Sequence, residues 1–283
     1  MDINEHFSAK NYRQDALNMG FAAPGSDLYY SWLFLDNAKK NAVMKLYTFC
    51  GTLSQMLTLK ENDIFRVKWA WWQQEMAQLF MQKATHPAAI AMQDVITQYK
   101  LPSALLQDYL EGVRVTRELD HCCTEEDFNA YSYRTRGIQQ SLAAYIYGFK
   151  DPNVLHYTRS MAMALSLMDE ILYLGRNIKK DRVYLPLTVL PIWQDLSNAE
   201  IHNILHMQVQ KALQDYKIAL LLLPVSEQHS QHPLLIESML KSKQLLLNKK
   251  DFSVLLTSYS ELTPLRKYLY AWWYKHMLPC SKL

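Results

Sequence analysis

The run Thr124-Glu125-Glu126-Asp127-Phe128-Asn129-Ala130-Tyr131-Ser132-Tyr133-Arg134-Thr135-Arg136-Gly137 decides the fold class. Thr124 with Asp127 three residues later has the form of a capping box, and three acids sit at the positive end of a helix dipole. Tyr131, Arg134, Gln139 and Leu142 then recur at helical intervals, which predicts one helix over about 124–149. Asp151-Pro152 places proline in a first turn, where its missing N–H costs nothing. Met161, Leu165, Met168 and Leu172 make an apolar stripe on the helix that follows, over about 151–176. Two helices this long, joined by about two residues, pack as an antiparallel hairpin.

Working outward, the same signals predict helices at about 5–19, 37–57, 62–83, 86–98, 102–118, 198–221, 231–247 and 262–276. Asp36 or Asn37 caps the second of these. No linker, low-complexity stretch or short repeat interrupts them. The expectation is one all-α domain over residues 1–283.

Composition agrees. Only 7 of 283 residues are glycine, which leaves no glycine-rich phosphate loop and favours helices over a nucleotide-binding α/β fold. Hydrophobic residues make up 49% of the chain, with 18 Tyr, 9 Phe and 7 Trp to line a core, a pocket or an interface. A net charge of +3 is too small to argue for nucleic acid. Asp2 and Glu5 at the start, with no apolar run, do not read as a secretory signal. The longest aliphatic run, Ile218 to Leu223, stops at Pro224, far short of the ~20 residues a spanning helix needs. Cys50, Cys122, Cys123 and Cys280 show no Cys-x-x-Cys spacing and read as reduced cytosolic thiols.

Four segments resemble the squalene/phytoene synthases. Lys40 through Leu46-Tyr47-Thr48-Phe49 is similar to that family's Arg-x₅-Leu-Tyr-x-Phe, with Lys40 at the arginine position. Leu101-Pro102 through Glu111-Gly112 is similar to its Leu-Pro…Gly-x₃-Asp, with Thr116 at the aspartate. Asp127-Phe128-x-x-Tyr131-x-Tyr133-Arg134-x-x-Gly137 is close to its Asp-Leu-x-x-Tyr-x-Tyr-x-Val-Ala-Gly. Arg182-Val183-Tyr184-Leu185-Pro186 nearly matches its Gly-Arg-x-Tyr-Leu-Pro. The order and spacing imply an isoprenoid-synthase-type helical bundle with a central cavity, elongated and apolar enough for a prenyl or acyl chain. The resemblance also implies substrate or anion contacts for Lys40, Tyr47, Tyr131, Arg134, Arg182 and Tyr184. Arg136, Arg176, Lys179 and Lys180 would add to a positive mouth.

The acidic motifs of that family are missing. Its Asp-Asp-x-x-Asp falls on Ser54, Gln55 and Thr58, and its Asp-x-x-x-Asp on Tyr173 and Asn177. No Asp or Glu occurs from Asn37 to Lys60, nor from Ile171 to Lys180. A hard divalent cation held against a diphosphate needs oxygen ligands, usually carboxylates. Asp169 and Glu170 lie about a turn before Tyr173, and Asp181 about 18 Å further along a helix. Those three do not meet on one ion, so Asp169 and Glu170 read as a solvated or salt-bridged helix edge. No metal or cofactor is expected, Mg²⁺ entering only if catalysis survives.

One subgroup of the family shares such losses, and includes a squalene-synthase-like assembly factor of mitochondrial respiratory complex I. The run Gly137-Ile138-Gln139-Gln140-Ser141-Leu142 and the ending from Leu262-Thr263-Pro264-Leu265 to Tyr274-Lys275 resemble it. Elsewhere, His121-Cys122-Cys123 lacks partner spacing for a site. His202 and His206 are i, i+4, a spacing that can bind zinc on one helical face, but no Glu lies between them, and Ile201 and Leu205 alongside read as an ordinary amphipathic helix. Trp69, Trp71 and Trp72 with Glu75 read as core packing. The expectation is a non-catalytic protein that binds a lipid or a protein partner. The alternative is an active prenyltransferase condensing two prenyl diphosphates. Bulky residues such as Met163, Met168 and Tyr173 would instead fill the cavity. The location expected is cytoplasmic. Reversible membrane contact is expected through the aromatic-basic tail and its Arg266, Lys267 and Lys275.

Overall fold

The structure is a computed structural model, and it describes residues 22–119, 124–179, 183–185, 197–257 and 260–277. Every regular element among them is helical. In chain order they are α1 (Asp27–Ser31), α2 (Asn37–Ser54), α3 (Asn62–Phe80), α4 (Pro87–Tyr99), α5 (Ser103–Glu118), α6 (Glu125–Ser132), α7 (Ile138–Tyr147), α8 (Asn153–Leu172), α9 (Leu174–Lys179), α10 (Asn198–Leu221), α11 (His232–Leu245) and α12 (Pro264–Met277). The helix expected at 5–19 lies outside the described residues.

The capping signals act as read. Asp36 accepts the Lys39 N–H at 2.8 Å and starts α2. Thr124 and Asp127 exchange both bonds of a capping box ahead of α6. Pro152 sits one residue earlier than expected, at the cap of α8 rather than inside its first turn.

Two apolar cores share α7. Ile138, Leu142, Ala143, Ile146 and Tyr147 pack with α2–α5, whereas Ala144 joins the core of α8, α10, α11 and α12. The stripe Met161, Leu165, Met168 and Leu172 is fully buried in that second core, against α10 and α11. Burial on this scale, at roughly 25 cal/mol per Å² of apolar surface, is what holds the helices together.

The helix expected over 124–149 is interrupted. Tyr133–Gly137 forms a π-helical turn between α6 and α7. Its neighbour is Gly112 of α5, where an added Cβ would stand 2.8 Å from the Arg134 carbonyl oxygen. A residue with no side chain at 112 lets the bulged backbone press against α5. The helix expected over 151–176 also divides, at Tyr173, into α8 and α9.

Candidate functional site

The neutral side chains that stand where the resemblance expects acids make hydrogen bonds and ring contacts of their own. Ser54 ends α2, and its hydroxyl lies 2.9 Å from the Tyr109 hydroxyl of α5. Gln55 and Thr58 are exposed in the short 3₁₀ turn that follows, where Thr58 donates to the Gln55 carbonyl at 2.8 Å. Tyr173 is held between two cations. Its hydroxyl accepts from Lys241 Nζ at 3.0 Å, and the Arg176 guanidinium stands 4.2 Å from its ring centroid. Asn177 donates to Glu170 Oε2 at 3.1 Å.

Sequence reasoning missed the feature that dominates the bundle centre, a buried network of charges between the two cores. Arg136, in the π turn, pairs with Asp169 of α8 and Glu237 of α11. Lys241, one turn after Glu237, pairs with Asp169 at 2.8 Å and with Asp27 of α1 at 3.2 Å. Lys267 of α12 reaches Asp27 at 2.8 Å and Glu261 beside it. Gln140 of α7 joins the halves, donating to the Tyr47 hydroxyl at 3.0 Å and to Glu237 Oε2 at 3.1 Å. The signal available was charge at helix positions flanked by apolar residues, as in Leu234-Leu235-Ile236-Glu237-Ser238-Met239-Leu240-Lys241.

Burial opposes every charge in this network, and the ion pairs answer it unequally. For Arg136, desolvation is outweighed by Asp169 and Glu237, which hold the guanidinium above its ordinary range. For Lys241, Asp169, Tyr173 and Asp27 overcome desolvation in the same way. Lys241 and Arg136 keep the Asp169 carboxyl below its ordinary value against its burial. Glu237 lies deeper, and burial wins there, raising its carboxyl. Tyr47 is also pushed up, by burial first and Glu237 second.

Two expectations for the motif region change. Glu170 is not on a solvated edge. It is buried, and accepts from Asn177 and from the Tyr184 N–H at 3.4 Å. Asp169 is the salt-bridged one. Between α7, α8 and α11 the bundle is crossed by the polar network of Arg136, Gln140, Asp169, Glu237 and Lys241. Met168 is buried in the core, whereas Met163 is half-buried. Met163 faces a groove of about 250 Å³ between α6, α8 and α10, with Phe128 and Ile218.

The residues present do not fit a diphosphate-bound metal. Among the described residues, no group of three or more His, Cys, Asp or Glu is placed to hold a metal ion. A dication near Tyr173 would stand beside Lys241 and Arg176. Asp169 is already shared by two cations, and Glu170 is engaged by Asn177 and the Tyr184 N–H, its carboxyl raised to about 7 by burial. Like charges a few ångströms apart in a partly dry site repel strongly.

The other expected site residues scatter. Tyr131 and Tyr184 do meet, stacked with centroids 4.3 Å apart, which pins the 183–185 segment to α6. Lys40 is half-buried, its ammonium 5.8 Å from the Tyr29 ring centroid. Its neighbour Lys39 is the one turned inward, donating to the Tyr147 carbonyl at 2.7 Å. Arg134 is exposed, and Arg136 is the arginine that enters the core. Arg182, with Lys180, Asp181 and Pro186, lies outside the described residues, as do His121, Cys122 and Cys123.

Trp72 packs in the core as expected, but Trp71 is exposed. Glu75 is buried and clamps the following loop through the Thr85 and His86 N–H groups, each at 2.6 Å. His202 spends its Nδ1 accepting the Phe252 N–H at 3.0 Å.

A family model for squalene/phytoene synthase matches residues 21–242. The chain is 22% identical over 211 residues to a phytoene synthase from Arthrospira platensis, covering 64% of this chain and 66% of that one. It is 23% identical over 193 residues to the 15-cis-phytoene synthase of Synechococcus elongatus, covering 62% of each. The matched segments thus span about two thirds of these relatives. Among solved structures, squalene synthase HpnC from Alicyclobacillus acidocaldarius superposes with a TM-score of 0.70 at 16% identity, over 85% of this chain and 92% of that one. A dehydrosqualene synthase solved with a ligand gives a TM-score of 0.73 at 14% identity, over 94% and 97%. The fold is therefore that of the isoprenoid synthases, and the chain belongs to the squalene/phytoene synthase family.

Proposed function

We propose that this protein is a non-catalytic member of its family that binds a lipid or a protein partner, in the manner of the assembly-factor subgroup. One observation carries the reading. Lys241 and Arg176 flank Tyr173, where a metal-binding carboxylate would otherwise stand. Ser54, Gln55, Thr58 and Asn177 supply no charge to replace it. Loss of metal chemistry leaves a folded scaffold whose surfaces and remaining clefts are free for other use. On this reading the prenyl or acyl chain of a ligand enters a cleft of the bundle, and the polar centre only supports the fold. The protein works in the cytoplasm, in reversible contact with a membrane. No helix among the described residues is long and apolar enough to cross one.

A second reading, an active prenyltransferase, is favoured by the relatives named phytoene synthase. Incubation with farnesyl or geranylgeranyl diphosphate and Mg²⁺ separates the two. The expected result is no pyrophosphate release above background. Sustained release with a condensed prenyl product would replace the first reading with the second.

A further inference from the structure

We infer that the outer face of α12 is the surface by which the protein docks on anionic lipid. The inference rests on the peripheral location proposed above, and supplies the contact. Leu265, Tyr268, Leu269, Trp272, Trp273 and His276 fall on one arc of about 140° around the helix axis, and all six are exposed. Leu265 is 66% and Leu269 51% exposed, which is costly for large apolar side chains unless something covers them.

The opposite face explains why this arc points outward. Lys267, Ala271 and Tyr274 are buried. Lys267 is not a headgroup cation, as its sequence context implied. Its ammonium is consumed internally by Asp27, Glu261 and the Gly25 carbonyl oxygen at 2.9 Å. This buried bond clamps the helix to the bundle and fixes its rotation.

The charges then select the occupant. Arg266 and Lys275 border the arc on either side, and α12 contains no Asp or Glu. Glu261, the carboxylate just before it, is turned to Lys267. Partial burial lowers the Lys275 pKa, so Arg266 is the firmer cation. An apolar arc with two Trp and one Tyr, edged by cations, matches a bilayer whose headgroups are negative. A second copy of this face would instead set cation against cation.

The test is flotation of the full chain with phosphatidylcholine vesicles, with and without about one-third phosphatidylglycerol, at roughly 0.05 and 0.5 M salt. Binding to the anionic vesicles that weakens with salt is expected. W272A/W273A should weaken it about tenfold at both salt levels. R266Q/K275Q should weaken it about fivefold per charge at low salt only. Arg266, Trp272 and Trp273 are exposed and Lys275 is half-buried, and unchanged circular dichroism would confirm the fold. No flotation at low salt overturns both the docking face and the peripheral location. Flotation unaffected by W272A/W273A overturns the docking face alone. Light scattering that shows a dimer broken by W272A/W273A overturns it as well, in favour of self-association.

Discussion

Lys241 donates a hydrogen bond to the Tyr173 hydroxyl at 3.0 Å, with its ammonium 4.9 Å from the ring centroid. Tyr173 stands where the family resemblance places a metal-binding aspartate. A built-in cation thus lies close to where a divalent ion would have to sit. The same ammonium neutralises Asp27 and Asp169, so it is structural as well as exclusionary.

Lys241→Met removes that ammonium and leaves two buried carboxylates with less compensation. Breaking one side of a buried ion pair costs about 3–5 kcal/mol. Urea unfolding at neutral pH should show a loss of that order, with an unchanged m-value. A loss under ~0.5 kcal/mol, the size of an ordinary surface change, would mean that the network is not holding α1, α8 and α11 together.

Restoring acids alone should not restore metal binding. In the double variant Y173D/N177D the carboxylate at 173 would pair with Lys241 and Arg176. The one at 177 would meet Glu170, whose raised pKa lets that pair share a proton rather than wait for an ion. Thermal unfolding of the variant should be independent of Mg²⁺ up to millimolar levels. A Mg²⁺-dependent rise in Tm, as mass action requires of a native-state ligand, would show that the cations yield to metal.

Glu170 gives a pH dependence with a definite sign. Burial raises its carboxyl from 4.5 to about 7, although Tyr184 and Asn177 oppose the shift. The folded state therefore holds this proton more tightly than the unfolded one. Its contribution to stability is full below pH 4.5, falls as pH rises to about 7, and is flat above. Glu170→Gln should nearly match the parent near pH 4.5 and exceed it by about 3 kcal/mol at pH 8. Denaturant midpoints at the two pH values decide it. Equal differences at both would remove Glu170 as the cause.

Gly175 tests packing. An added Cβ would stand 2.1 Å from the Leu256 carbonyl oxygen, a backbone atom that cannot swing away. In an exposed helix Gly→Ala gains about 1 kcal/mol. Here Gly175→Ala should instead cost about 2–3 kcal/mol. A gain would show that α9 and the 252–256 turn separate without penalty.

Local signals were legible because their physics is local. The caps at Asp36 and Thr124, and the 198–221 helix, were set by residues within a turn of one another. The family fold followed from four ordered segments. The ion network was not legible, since Arg136 and Glu237 are 101 residues apart and only folding brings them together. The π turn was hidden because the residue it presses against, Gly112, lies on another helix. Lys267 was misread for a related reason. Nothing in α12 itself reveals that Asp27 waits on its inner face.

On the proposed reading, built-in cations have replaced metal-dependent diphosphate binding. The most direct measurement is calorimetric titration of the full chain with a non-hydrolysable farnesyl thiodiphosphate, with and without millimolar Mg²⁺. Whatever affinity is found, Mg²⁺ should leave it unchanged or weaken it by screening the diphosphate. Affinity that appears or rises tenfold or more on adding Mg²⁺, about 1.4 kcal/mol, would contradict that reading.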